Sequence, residues 1–193
     1  MPNVRQILAS YSFKQLIVRF AEEYLWWIVK SLPGYEGVYL RYLFLKCTSR
    51  RLDGFCWISP GCRIVNGHGL SIGKEFAVNT NVLIDALGGI EVGNNSGIGP
   101  NSVLIAQEHN MLSKHGFVGK ESHKNHQIKP IRLGSDVWIG ANCFIKAGVT
   151  IGDRVVVGAC SNVIADVPDH STVIGSPARP YARVMREFLA DRQ

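Results

Sequence analysis

Four histidines fall within eighteen residues of this 193-residue chain: His109, His115, His123 and His126. Imidazoles this close in sequence suit one of two chemistries, holding a transition metal or moving a proton near neutral pH. Their spacings of six, eight and three match no common zinc pattern, and no cysteine lies nearby to complete one. His115, His123 and His126 stand among Lys114, Lys120, Lys124 and Lys129 and read as solvated loop residues. His109 differs because it falls where a regular repeat stops, one step past a strand. A side chain there is held by a scaffold, as proton transfer in a fixed geometry requires. His109 is therefore the candidate catalytic residue, and no metal is expected.

The repeat that positions it has a period of six. It runs Ile58, Ile64, Leu70, slips by two to Ile72, continues Val78, Ile84, Ile90, slips again to Val92, and reaches Ile98 and Leu104. It resumes at Leu133, Ile139, Ile145, Ile151, Val157 and Val163. Neither a helix nor an ordinary strand repeats at six, and hexapeptide periods belong to parallel β-helices. The position four later is mostly small or β-branched (Cys62, Val82, Ser96, Ser102, Val137, Cys143, Val149, Val155, Ser161), so each unit sends two side chains inward. Three units make one triangular coil of about eighteen residues, stacked on the next at the inter-strand spacing of about 4.8 Å. Triplets such as Gly93-Asn94-Asn95, Gly134-Ser135-Asp136 and Gly152-Asp153-Arg154 suit the corners, where positive φ is often required. The break between Leu104 and Leu133 extrudes a loop over 106–130.

Residues 1–51 lack the period. Phe13, Leu16, Ile17, Phe20, Tyr24, Trp27 and Ile28 fall on one helical stripe, Leu32-Pro33-Gly34 breaks it, and a second helix is expected over about 36–46 with Tyr39, Leu40, Leu43 and Phe44. Two readings stay open and are compatible. The stripe covers an end or flank of the solenoid, or residues 1–46 lie on an anionic membrane, anchored by Trp26 and Trp27 with Lys and Arg as electrostatic partners. Neither apolar run reaches the ~18 residues needed to cross a bilayer.

A composition that is 46% hydrophobic and 19% charged, with net charge +6, fits a soluble or surface-associated protein of one domain plus an appendage. The expected division is helices over 1–51, β-helix over 52–175 and a C-terminal segment with a short amphipathic helix over 176–193. Five cysteines with no CxxC pair read as small buried hydrophobes in a reducing cytosol, and no cleavable signal peptide is visible. A cytoplasmic protein, peripheral at most to the inner membrane face, is expected, with no nucleic-acid partner.

Ile98-Gly99-Pro100-Asn101-Ser102-Val103 followed by His109, then Val137-Trp138-Ile139-Gly140 and Ile174-Gly175-Ser176-Pro177-Ala178-Arg179, resembles the hexapeptide-repeat acetyltransferases of the galactoside and maltose acetyltransferase type, over about residues 56–184. The N-terminal helices look more like those of capsule, colanic acid and O-antigen acetyltransferases. The resemblance implies an all-β fold, a left-handed parallel β-helix against the usual crossover preference, with an N-terminal helical segment and a short C-terminal helix. It also implies a closed homotrimer with sites between subunits.

The implied reaction is direct acetyl transfer from acetyl-CoA to a sugar hydroxyl of an envelope polysaccharide, with His109 as general base. On the acceptor side the family's asparagine falls on Asn79, which a corner would equally explain, and Asp85 stands near the family's acidic positions as a sugar ligand or a histidine-orienting carboxylate. On the coenzyme side the resemblance implies the backbone at Ala141 and Ala159, Ile164, Ala165 and Arg179; Trp138, after the loop, reads equally as a wall of the pantetheine groove or as core or trimer packing. Arg183 is displaced by one residue from a further family arginine, whose own position holds Ala182. N-acetylation of a nucleotide-linked amino sugar and a noncatalytic or metal-binding β-helix are the alternatives.

Overall fold

The computed structural model describes residues 20–109 and 126–190. His115 and His123, with the helical positions Phe13, Leu16 and Ile17, lie outside them. The chain forms a parallel β-helix whose three faces are short stacked strands. The first face is β1 (Arg51–Leu52), β4 (Leu70–Ile72), β7 (Ile90–Val92), β12 (Ile131–Leu133) and β15 (Thr150–Ile151). The second is β2 (Cys56–Ile58), β5 (Phe76–Val78), β8 (Gly97–Ile98), β13 (Trp138–Ile139), β16 (Val156–Val157) and β18 (Thr172–Ile174), closed by antiparallel β19 (Arg179–Pro180). The third is β3 (Arg63–Val65), β6 (Leu83–Asp85), β9 (Val103–Ile105), β14 (Phe144–Ile145) and β17 (Asn162–Val163).

The hexapeptide phase maps onto this interior without exception. Every residue on it, from Ile58 to Val163, is buried, and so is each small partner four positions later. Three of those partners are serines, and each is satisfied by bridging turns of the solenoid. Ser102 Oγ donates to the Gly140 carbonyl at 2.8 Å and accepts from the Cys143 N–H at 3.1 Å. Ser161 likewise donates to Gly158 and accepts from Gly175.

The corners do use positive φ, at the third residue of each predicted triplet: Asn95 at 52°, Asp136 at 58° and Arg154 at 56°. The leading glycines serve a different need. A Cβ on Gly93 would lie 2.6 Å from the Gly134 backbone, so these glycines permit coils to stack. Cys56, Cys62 and Cys143 are buried as expected of small hydrophobes, whereas Cys47 and Cys160 are exposed. Burial pushes the Cys56 thiol up to about 12, and raises those of Cys62 and Cys143.

A π-type turn over Ala21–Leu25 leads into α1 (Trp26–Val29), and α2 (Gly34–Thr48) follows and packs on β2 and β1. The helices do cover the solenoid, but not through the predicted stripe. Among its described members, Phe20, Tyr24, Trp27 and Ile28 are exposed. The docking residue is Trp26, 3% exposed, whose Nε1–H donates to the Cys62 carbonyl at 3.1 Å. In α2 the buried side chains are Val38, Arg41 and Leu45. Arg41 Nε donates to Ile58 O at 2.8 Å, and its Nη1 to Val29 O at 2.9 Å and Leu32 O at 2.7 Å. One guanidinium thus ties α1, the Pro33 turn and the first coil together. Its Nη2 is buried without a partner, and burial lowers its pKa. The C-terminal helix, α3, spans Tyr181–Ala190. No helix among the described residues is long and apolar enough to cross a membrane.

Candidate active site

The insertion after β9 begins and ends as a β-hairpin. Strands β10 (Gln107–His109) and β11 (His126–Ile128) pair antiparallel, with His109 opposite His126. Sequence patterning showed only a loop here, because Gln107-Glu108-His109 carries no apolar alternation and its partner strand lies seventeen residues further on. His109 therefore stands on a strand, exposed, within a few residues of the rigid coil.

The two residues before it are held from neighbouring coils and from the far end of the insertion. Gln107 Nε2 donates to Asp85 Oδ2 at 2.6 Å. Glu108 lies between Lys129 Nζ at 3.3 Å and Lys146 Nζ at 3.2 Å. None of these contacts was legible as a motif, since the partners are far apart in sequence and meet only when the hairpin closes or the coils stack.

The remaining candidates divide between two corners of the prism. Asn79, Ala141 and Ala159 share the corner between the second and third faces, where Asn142 N–H donates to Pro100 O at 2.9 Å and Cys160 N–H to Ala141 O at 2.8 Å. The Ala141 and Ala159 amides are not the donors of these inter-coil bonds. Asn79 is exposed, and the left-handed residue of its corner is Asn81, at φ 59°. The corner geometry therefore does not require an asparagine at 79.

His109, Asp85, Ile164 and Ala165 lie at the other corner, between the third and first faces; Ile164 and Ala165 are exposed just after β17. A single chain does not gather the two groups. Trp138, half-exposed on the second face, lies over Gly97: a Cβ there would come within 2.8 Å of the indole, so the glycine makes room for the ring. A shallow groove of about 280 Å³ runs beside it past Glu75, Ala77, Asn95 and Asp136. Arg179 in β19 and Arg183 in α3 are exposed at the C-terminal end. Among the described residues no group of three His, Cys, Asp or Glu side chains is arranged to hold a metal ion.

Comparison with known proteins is consistent with this geometry. The bacterial transferase hexapeptide (six repeats) pattern matches residues 130–165. Galactoside O-acetyltransferase of Escherichia coli is 35% identical over 134 residues, 68% of this chain and 61% of the relative, so this chain spans about three-fifths of that protein's length. A putative acetyltransferase of Saccharomyces cerevisiae is 30% identical over 145 residues, covering 75% of this chain and 69% of its own. A putative colanic acid biosynthesis acetyltransferase of E. coli is 28% identical over 158 residues, 80% of this chain and 82% of the relative.

Among solved structures, a hexapeptide-repeat acetyltransferase of Vibrio cholerae complexed with acetyl coenzyme A superposes with a TM-score of 0.76 at 28% identity, covering 88% of each chain. Shared repeat, shared solenoid and relatives matched over most of their length lead to one conclusion: the chain belongs to the hexapeptide-repeat acetyltransferases.

Proposed function

We propose that this chain transfers an acetyl group from acetyl-CoA to a sugar hydroxyl in the synthesis of a cell-envelope polysaccharide. The observation that carries the reading is His109 presented on a hairpin strand at the foot of the coil, exposed to a substrate yet fixed by the scaffold. Its imidazole takes the proton of the acceptor hydroxyl as that oxygen bonds to the acetyl carbon. The carbon–sulfur bond then breaks, the acetyl ester leaves, and the proton passes to the coenzyme thiolate. Acetyl-CoA supplies the activated thioester. The corner amides at Ala141 and Ala159 suit its pantetheine arm, Trp138 walls the groove, Ile164 and Ala165 border it, and Arg179 with Arg183 offers guanidinium groups to its phosphates. Asn79 serves the acceptor. The likeness to the colanic acid acetyltransferase supports the polysaccharide context.

A homotrimer completes this site. The outer second and third faces carry Trp57, Trp138, Val156 and Phe144, all exposed in one chain, while the first carries Arg51, Glu91 and Arg132, the last two ion-paired at 3.5 Å. Packing the apolar faces against neighbouring copies brings the Asn79 corner of one chain towards the His109 corner of the next. The helical segment carries the enzyme to the inner membrane face: residues 1–51 hold eight basic and three acidic residues, most of the net charge of +6, beside the exposed Tyr24, Trp27 and Ile28.

The test is acetyl-CoA turnover against a panel of sugar and amino-sugar acceptors. His109→Ala is expected to lower kcat about 100-fold or more with the trimer intact. Near wild-type turnover in that variant would overturn the mechanism, and preference for an amine would overturn O-acetylation.

A further inference from the structure

Asp85 ends β6, one coil before the strand that leads into the hairpin. Its carboxylate is already heavily engaged. Oδ1 accepts from Asn66 Nδ2 at 2.7 Å and from the Leu87 N–H at 3.2 Å, and Oδ2 accepts from Gln107 Nε2 at 2.6 Å. Three of the roughly four acceptor positions of a carboxylate are thereby used, which leaves little capacity for a sugar.

Asp85 pairs in register with Ile105, the last residue of β9, and Ile145 pairs with Leu104 from the coil above. The coil below therefore offers an anion, Asp85, and the coil above a cation, Lys146, to the point where the chain leaves the solenoid. Each engages one of the two residues before His109. Strand alternation puts Gln107 and His109 on the same face of β10, so rotation of one displaces the other.

We propose that Asp85 is a positioning residue: acting through Gln107, it sets the angle at which β10 leaves the coil and hence where the His109 imidazole meets the acceptor hydroxyl. The proposal rests on the reading of His109 as the base. Lys146 acts in the same sense on Glu108 but more weakly, because that pair is partly exposed and screened by salt.

The experiment combines Asp85→Ala, Gln107→Ala, the double variant and Asp85→Asn. It reads kcat, acceptor KM and backbone amide exchange across 107–109, with the Ile98 amide as a core control. Each alanine variant is expected to lower kcat ten- to a hundredfold, in the range of small misplacements of a catalytic group, with acceptor KM within about twofold of wild type. The double variant should be no slower than the slower single one, because the two act as a unit. Exchange at 107–109 should accelerate about tenfold while Ile98 is unchanged. Asp85→Asn should recover most of kcat, since its oxygen still accepts from Asn66 and Leu87 and its amide donates to Gln107 once that side chain flips.

A sugar ligand would behave otherwise. Asp85→Ala would raise acceptor KM, and Gln107→Ala would leave both constants unchanged; that result overturns the proposal, as does unchanged exchange in both alanine variants. If the wild type acetylates no acceptor, the transfer reading fails, while the exchange data still report whether Asp85 holds β10.

Discussion

The coils and the helical segment bury apolar side chains by different rules. In a coil the inside is defined by closure of the three faces, so a residue's place in the six-residue unit decides its burial before any partner is named. In the helices the inside is whatever reaches the first coil. There it is Trp26, Val38, Arg41 and Leu45, and the more hydrophobic stripe through Tyr24, Trp27 and Ile28 faces out. Periodicity therefore predicts burial where a structure closes on itself, and predicts only amphipathicity where an element docks on another.

The comparison breaks or sharpens under substitution. Ile139→Ala, at a phase position in mid-solenoid, is expected to cost about 2–5 kcal/mol in denaturant unfolding; a cost below about 1 kcal/mol would mean the phase positions are not equivalent. Arg41→Met takes the guanidinium donor from the Leu32 and Ile58 carbonyls, leaves Val29 O with only the Leu32 N–H at 3.3 Å, and should cost about 3 kcal/mol. Faster amide exchange in α1 and α2, with the coils unchanged, would identify it as the tie between the two regions. A neutral result would assign the docking to apolar contact alone.

A third test uses the buried thiols of the coils. Below pH 9 folded and unfolded Cys56 are both protonated, so the thiol adds no pH dependence. As pH rises from about 9, the unfolded thiol ionises while the folded one holds its proton towards about 12, and stability is lost across that window. Cys56→Ala should shallow this alkaline limb by about 1 kcal/mol per pH unit; an unchanged slope would place the alkaline weakness elsewhere than at Cys56. The smallest effect on stability is expected from Trp27→Ser, within about 0.5 kcal/mol of wild type because the ring is 68% exposed. The same variant should lose binding to anionic vesicles in sedimentation, and retained binding would count against the membrane role of that face.

What was legible in the sequence follows the same division. The stacked faces, the inward pairs and the corner positions could be read because each depends on residues within one unit. Arg41 could not, since an arginine on an amphipathic helix reads as a solvated charge until its three carbonyls are in place. His109 was marked by the interruption, but the strand it stands on depends on pairing with His126, and its supports on Asp85 and Lys146 in other coils. Asn79 and Asn81 were indistinguishable as corner residues until backbone angles assigned the left-handed position to Asn81.

The stacking of β12 directly on β7 carries one more consequence. Gly93 N–H reaches Leu133 O at 2.9 Å across a sequence separation of forty, as closely as Gly73 N–H reaches Val92 O across one of nineteen. The ladder runs past the inserted segment as though it were absent, and lengthening a surface excursion costs a chain little, about 0.6 kcal/mol per doubling. Such an arrangement lets the insertion diverge in length and composition while the column of coils stays under its own, separate selection. A lineage built this way can remodel the insertion without first repairing its fold.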